Sequence, residues 1–168
     1  MRFFLIGFMG SGKSYWGKIW GDAYGLDWYD LDTEIEKSEG KTIETIFSEE
    51  GELAFRKKER KLLKQFLNRD QFILSCGGGT PCFFDNMSFM NRHGVVVYLK
   101  STASELAERL RHEKDTRPLL KGISDDQLEF FIDQKLKERS ADYQKATYHL
   151  PTKFLTNENF ERIIRRHQ

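Results

Sequence analysis

The sequence is poor in the residues that staple, kink or embed a chain. Only two cysteines occur in 168 residues, Cys76 and Cys82. They have neither C-x-x-C spacing nor a histidine cluster nearby, which argues against a zinc site or a dithiol redox motif. Both are expected as reduced thiols, because disulfides are rare in the cytosol. The three prolines, Pro81, Pro118 and Pro151, are too few for a Pro-rich linker, and each falls just outside an expected element. The opening apolar run stops after four residues, Phe3–Ile6, far short of a signal h-region or a spanning helix. A soluble cytoplasmic protein with no membrane partner is expected. Charge of one sign is also missing: 27 Lys and Arg face 26 Asp and Glu, for a formal net charge of +1. No global field therefore selects nucleic acid or an anionic surface, and any anionic partner must be met by a local cluster. With no internal repeat or low-complexity tract, residues 1–168 are expected as one domain, with a monomer as the default.

What is present is an alternation of short apolar runs with longer amphipathic stretches, the pattern of a parallel sheet with helices on both faces. The α/β class follows. Strands are expected near Phe3–Ile6, Trp28–Asp30, Phe72–Ser75, Val95–Leu99 and Tyr148–Leu150. Two capping boxes mark helix starts, Thr102 with Glu105 and Ser124 with Gln127. Near the end Phe160, Ile163, Ile164 and His167 fall at i, i+3, i+4 and i+7, one stripe to lay on the sheet.

Residues 7–14 read Gly-Phe-Met-Gly-Ser-Gly-Lys-Ser, which fits G-x-x-x-x-G-K-[ST] directly after the first expected strand. Such a loop wraps a polyphosphate closely, so that successive N–H groups point inward and the following helix adds its positive end. Lys13 is placed to reach the β- and γ-phosphates, and the Ser14 hydroxyl to ligate Mg²⁺. This motif specifies a nucleotide; by itself it does not separate a kinase from a GTPase switch or a motor.

In parallel sheets ligands gather outside the carboxyl ends of the strands, so the rest of that rim carries the choice. The second strand ends in Asp30-Leu31-Asp32, and a strand's period of two sends both acids to one side, facing the P-loop. One can help hold magnesium and the other can orient and deprotonate a hydroxyl. Gly77-Gly78-Gly79 after the third strand lets a ligand touch backbone. Arg56 and Arg139 are guanidinium forks suited to a carboxylate. The polar stretch 112–122 can fold over the site as a lid, carrying Arg117 to the transferring phosphoryl group.

Taken in order, these pieces resemble the shikimate kinase family from Gly7 to about Tyr143. The likeness rests on the P-loop with Gly17-Lys18 after it, Asp30-Leu31-Asp32 with Ile35-Glu36, and Phe55-Arg56 with Glu59. It continues in Gly77-Gly78-Gly79, Arg117-Pro118-Leu119-Leu120, and Arg139 four before Tyr143. The resemblance implies a P-loop NTPase fold of the nucleoside monophosphate kinase type, with a five-stranded parallel sheet in the order 2-3-1-4-5. It implies ATP-dependent phosphorylation of the 3-hydroxyl of shikimate. ATP would be held by Gly10, Ser11, Gly12, Lys13, Ser14, Tyr15 and Arg117, and Mg²⁺ by Ser14 and Asp30. Asp32, Arg56, Gly78 and Arg139 would hold shikimate, with Asp32, Lys13 and Arg117 catalytic. Tyr15 and Trp16 depart from the small and β-branched residues usual after the P-loop serine. Cys76 stands where threonine often precedes the glycines, and Gln144 and Thr147 differ from the usual run after Tyr143. For adenine, Arg109 or Arg111 and the loop around Thr156 and Asn157 are candidates. The rival readings are a kinase acting on gluconate or a nucleoside monophosphate, and a non-catalytic module whose lid is a nucleotide-gated switch.

Overall fold

The computed structural model describes residues 1–168. Five strands form one parallel sheet: β1 (Arg2–Ile6), β2 (Asp27–Asp30), β3 (Phe72–Ser75), β4 (Val95–Lys100) and β5 (Tyr148–Pro151). Their order is β2-β3-β1-β4-β5, as the resemblance implies. All five expected strands formed, β3 with the expected bounds and the other four longer by one residue at one end. Pro151 is the exception to the expectation for prolines, since it is the last residue of β5 and pairs with Lys100. β5 is an edge strand, and only there can a residue without an N–H be tolerated.

Eight helices cover the sheet: α1 (Lys13–Tyr24), α2 (Leu31–Glu39), α3 (Ile43–Glu50), α4 (Glu52–Gln65), α5 (Asn86–His93), α6 (Ala103–Leu110), α7 (Asp125–Tyr143) and α8 (Asn157–His167). The strand period of two divides β1 between two cores. Phe4 and Ile6 join Leu31, Ile35, Phe55, Leu74 and Tyr98 on one face. Phe3 and Leu5 join Trp20, Ile73, Val97, Phe160, Ile163 and Ile164 on the other. The stripe read on α8 therefore packs as expected, except that His167 stays exposed and its Nε2 meets the Tyr148 hydroxyl at 3.1 Å.

The Thr102 capping box on α6 is formed on both sides. The second expected box is not: Ser124 does stand at the N-cap of α7, but its side chain makes no cap bond. The Gln127 N–H is taken instead by the Ser124 backbone carbonyl, at 3.1 Å. At the start of α8 half of such a box forms: Asn159, in place of the usual Glu or Gln, accepts through Oδ1 from the Thr156 N–H at 2.8 Å, while the Asn159 N–H goes to the Thr156 carbonyl at 3.3 Å.

Segment 112–122 is more ordered than an irregular lid. It contains two 3₁₀ turns, Lys114–Thr116 and Pro118–Leu120. Leu120 is fully buried with Phe8, Leu106, Leu110, Leu128 and Ile132, and Lys121 reaches Glu44 on α3 at 3.0 Å.

Candidate active site

The phosphate loop lies between β1 and α1, and its shape is set by Gly10 (φ 80) and Gly12 (φ 89), which take the left-handed backbone region. Within the loop, Lys13 Nζ donates to the carbonyls of Gly7 at 2.8 Å and Phe8 at 2.9 Å. Burial lowers the Lys13 ammonium to about 8, although Asp32 and Asp30 oppose the shift. Its backbone is anchored from the sheet, because Ser75 Oγ donates to the Lys13 carbonyl at 2.9 Å while accepting from Trp28 Nε1 at 3.0 Å. The Trp28 indole fits there only because Gly17 has no side chain; a Cβ at that position would overlap it.

Asp30 and Asp32 both line the cleft in front of this loop, but not for the reason read from the sequence. The strand ends at Asp30, and Asp32 sits in the first turn of α2, so a period of two does not apply between them. Asp30 is the N-cap: its Oδ1 accepts from Thr33 N at 3.2 Å, leaving Oδ2 to accept from Ser14 Oγ at 2.6 Å. Ser14 and Asp30 thus present hard oxygen donors side by side, a set that suits magnesium. No cluster of three or more His, Cys, Asp or Glu side chains that could hold a metal exists in the structure, so an ion there would complete its shell with phosphate oxygens and water. The Asp32 carboxyl is pushed up to about 6, first by burial and then by Asp30 and Glu59, against the pull of Lys13 and Arg56.

The three glycines after β3 are where the remaining parts meet. A Cβ on Gly77 would stand 3.3 Å from both Asp32 Oδ1 and Glu59 Oε2, and one on Gly78 would stand 3.0 Å from Arg139 Nη1. One on Gly79 would overlap the Arg56 guanidinium. Arg56 is buried (7% exposed) and donates Nη1 to the fully buried Glu59 at 3.0 Å; Glu59 also accepts from Thr80 Oγ1 at 2.7 Å. Tyr143, one turn after Arg139 on α7, donates its hydroxyl to the Gly78 carbonyl at 2.6 Å.

The cleft has a volume of about 490 Å³ and is lined by Gly10, Gly12, Lys13, Ser14, Tyr15, Asp30, Asp32, Gly77, Gly78, Arg109 and Arg117, with Met9, Cys76 and Glu113. Ser11 is buried beneath it. Arg56 and Arg139 border Gly79 and Gly78 instead of this nucleotide-side space. Arg117 stands in the cleft with Nη2 donating to Glu113 at 2.9 Å. Of the two arginines weighed for adenine, Arg109 on α6 faces the cleft and donates to the carbonyl of Gly10 at 3.1 Å and to Thr152 Oγ1 at 3.4 Å. Arg111 is exposed, outside it. Thr156 and Asn157 are occupied in starting α8, and Thr152, four residues earlier, is the one that approaches. Ser75, Thr80, Glu113 and Thr152 had not been singled out. Thr80 adjoins the triple glycine, which is the one signal that could have raised it; the others carry none.

A glycine-shaped loop closed around its lysine, an acid pair beside it and arginines beyond a glycine strip define a P-loop kinase of the nucleoside monophosphate kinase fold, aimed at an anionic acceptor. The family model for shikimate kinase matches residues 9–168. A shikimate kinase of Parabacteroides distasonis is 47% identical over 146 residues, 87% of this chain and 84% of that protein. The crystal structure of shikimate kinase from Bacteroides thetaiotaomicron superposes with a TM-score of 0.88 at 39% identity, covering 100% of this chain and 96% of the other. That of the Acinetobacter baumannii shikimate kinase in complex with shikimate gives 0.84 at 30% identity, covering 99% and 91%. The chain belongs to the shikimate kinase family.

Proposed function

We propose that this protein transfers the γ-phosphoryl group of Mg-ATP to the 3-hydroxyl of shikimate, a step of aromatic amino acid biosynthesis. The observation that carries the reading is the convergence of Asp32, Arg56 and Arg139 on one strip, Gly77-Gly78-Gly79, at the mouth of the phosphate loop. Two guanidinium groups supply the charge a carboxylate needs, and Asp32 stands between them and the Lys13 cradle.

Phosphoryl transfer asks mainly for alignment and charge neutralisation. Arg56 and Arg139 fix the acid's carboxylate, with Gly78 admitting its ring close to the backbone. Asp32, ionised above about pH 6, accepts the hydroxyl proton as the oxygen bonds to the γ-phosphorus and the bond to the ADP oxygen breaks. Lys13 exchanges its two loop carbonyls for phosphate oxygens, and Arg117 leaves Glu113 for the moving group. Gly10, Ser11, Gly12, Ser14 and Tyr15 supply the remaining amides. Ser14 and Asp30 would hold magnesium, which when bound would supply charge neutralisation to the phosphates. Segment 112–122 acts as the lid of a single domain spanning 1–168. A monomer is the default working unit. The dependence on ATP and the two free thiols fit a cytoplasmic setting.

The test is ADP release from Mg-ATP with shikimate, gluconate and AMP supplied in turn. Shikimate alone should stimulate it. Stimulation by another acceptor would reassign the substrate, and none by any acceptor would leave a nucleotide-gated module.

A further inference from the structure

Arg56 is restrained by more than its carboxylate partners. Nη1 is taken by Glu59 at 3.0 Å and Nη2 has only a long contact to Glu52 at 3.4 Å. Nε is buried with no partner. The guanidinium carbon lies over the ring of Phe83, 4.1 Å from its centroid, and 5.1 Å from that of Phe55. Gly79 closes against the same group, leaving no room for a Cβ.

Phe83 opens a segment that docks on two arginines one turn apart on α4. The ring of Phe84 lies 5.2 Å from the guanidinium carbon of Arg60, and Asp85 forms an ion pair with Arg60. Phe84 has φ 51, the only non-glycine residue at positive φ. Backbone held in that region by a residue with a Cβ is strained, and such strain concentrates at sites that need a fixed geometry. Here its result is a chain turned so that successive rings face Arg56 and Arg60.

We propose that Phe83 is a positioning residue for the acceptor: its ring face holds the Arg56 guanidinium in the plane from which it meets the acid's carboxylate. This rests on shikimate being the acceptor. An aromatic face attracts a desolvated cation without using its N–H donors, so those donors stay free of Phe83 and the loosely held Nη2 can turn to the acid. A polar residue at 83 would compete for them, and an aliphatic one would cover the group without fixing its plane.

The experiment is isothermal titration of the full chain with shikimate, with its methyl ester and with Mg-ADP, alongside thermal melts. Phe83→Leu should weaken shikimate binding by about 3- to 30-fold, leave Mg-ADP binding and Tm near wild type, and bind the uncharged ester as the wild type does. Phe83→Tyr should restore shikimate affinity. Replacing Phe83 with 3,4,5-trifluorophenylalanine keeps the shape while withdrawing the face's charge, so shikimate binding should weaken even if the leucine variant folds poorly. Unchanged shikimate affinity in the leucine and fluorinated proteins overturns the proposal, as does an equal loss for shikimate, ester and nucleotide. Wild-type protein that does not bind shikimate at all would instead remove the acceptor assignment, and this inference with it.

Discussion

Asp32 and Lys13 are both pushed toward neutrality by burial, the carboxyl up to about 6 and the ammonium down to about 8. Their signs give the pH dependence. A base must be ionised, so kcat/KM for shikimate should fall as pH drops through about 6; a phosphate-binding ammonium must be charged, so kcat/KM for ATP should fall as pH rises through about 8. Steady-state profiles from pH 5 to 9 check both limbs, and Asp32→Asn should lose most of kcat together with the acid limb. Arg139→Ala removes one charge-assisted contact to the acid, worth about 1.5–3 kcal/mol, so the Kd for shikimate should rise roughly 10- to 100-fold with Mg-ADP binding unchanged. Calorimetry that finds shikimate affinity intact would take Arg139 out of the site. Read singly in the sequence, Arg56 and Arg139 look like surface charges. Glu59, three residues on in the same helix, is within reach of the local pattern, but nothing near Arg56 reports that Phe83 and Gly79 close around it, because those contacts come from a separate segment.

The elements were legible where the signal is local. Short apolar runs made the three central strands, β1, β3 and β4, because strands buried on both faces must be apolar nearly throughout, whereas the edge strands β2 and β5 are half exposed and mixed in character. The Thr102 box formed because its partner lies three residues away. Thr102→Ala should therefore cost about 1 kcal/mol in urea unfolding while leaving turnover unchanged; a loss of activity would mean that α6 positions Arg109 through its first turn. Two local readings failed for one reason. Ser124 and the pair Asp30 and Asp32 were judged by spacing alone, whereas backbone geometry decided the outcome: the first turn of α7 bonds its own carbonyl, and β2 gives way to helix at Leu31. The acids still reach one cleft, because a strand end and the first turn after it point to the same rim. Segment 112–122 differs from the irregular stretch expected, being pinned by Leu120 in a core that includes Phe8 from the phosphate loop.

Across the molecule, α8 closes the second core, with Phe160 stacked on Trp20 at 4.3 Å and 3° and set edge-on to Phe3 at 4.9 Å. Phe160→Ala should destabilise the fold by about 3–5 kcal/mol, read as a lower Tm, and Mg-ADP at a hundred times its Kd should return about 2.7 kcal/mol because it binds only the folded cradle. A single cooperative melt is expected for one domain; two transitions would divide it. What the sequence by itself determined was the α/β class, the strand positions, the phosphate loop and the order of motifs that mark the family, all of them properties of neighbouring residues. The tertiary structure alone decided which arginines are buried and oriented, which of Arg109 and Arg111 faces the cleft, and what anchors segment 112–122. Those outcomes depend on contacts between residues far apart in the chain, and no periodicity or spacing along it encodes the distance between two elements once they have packed.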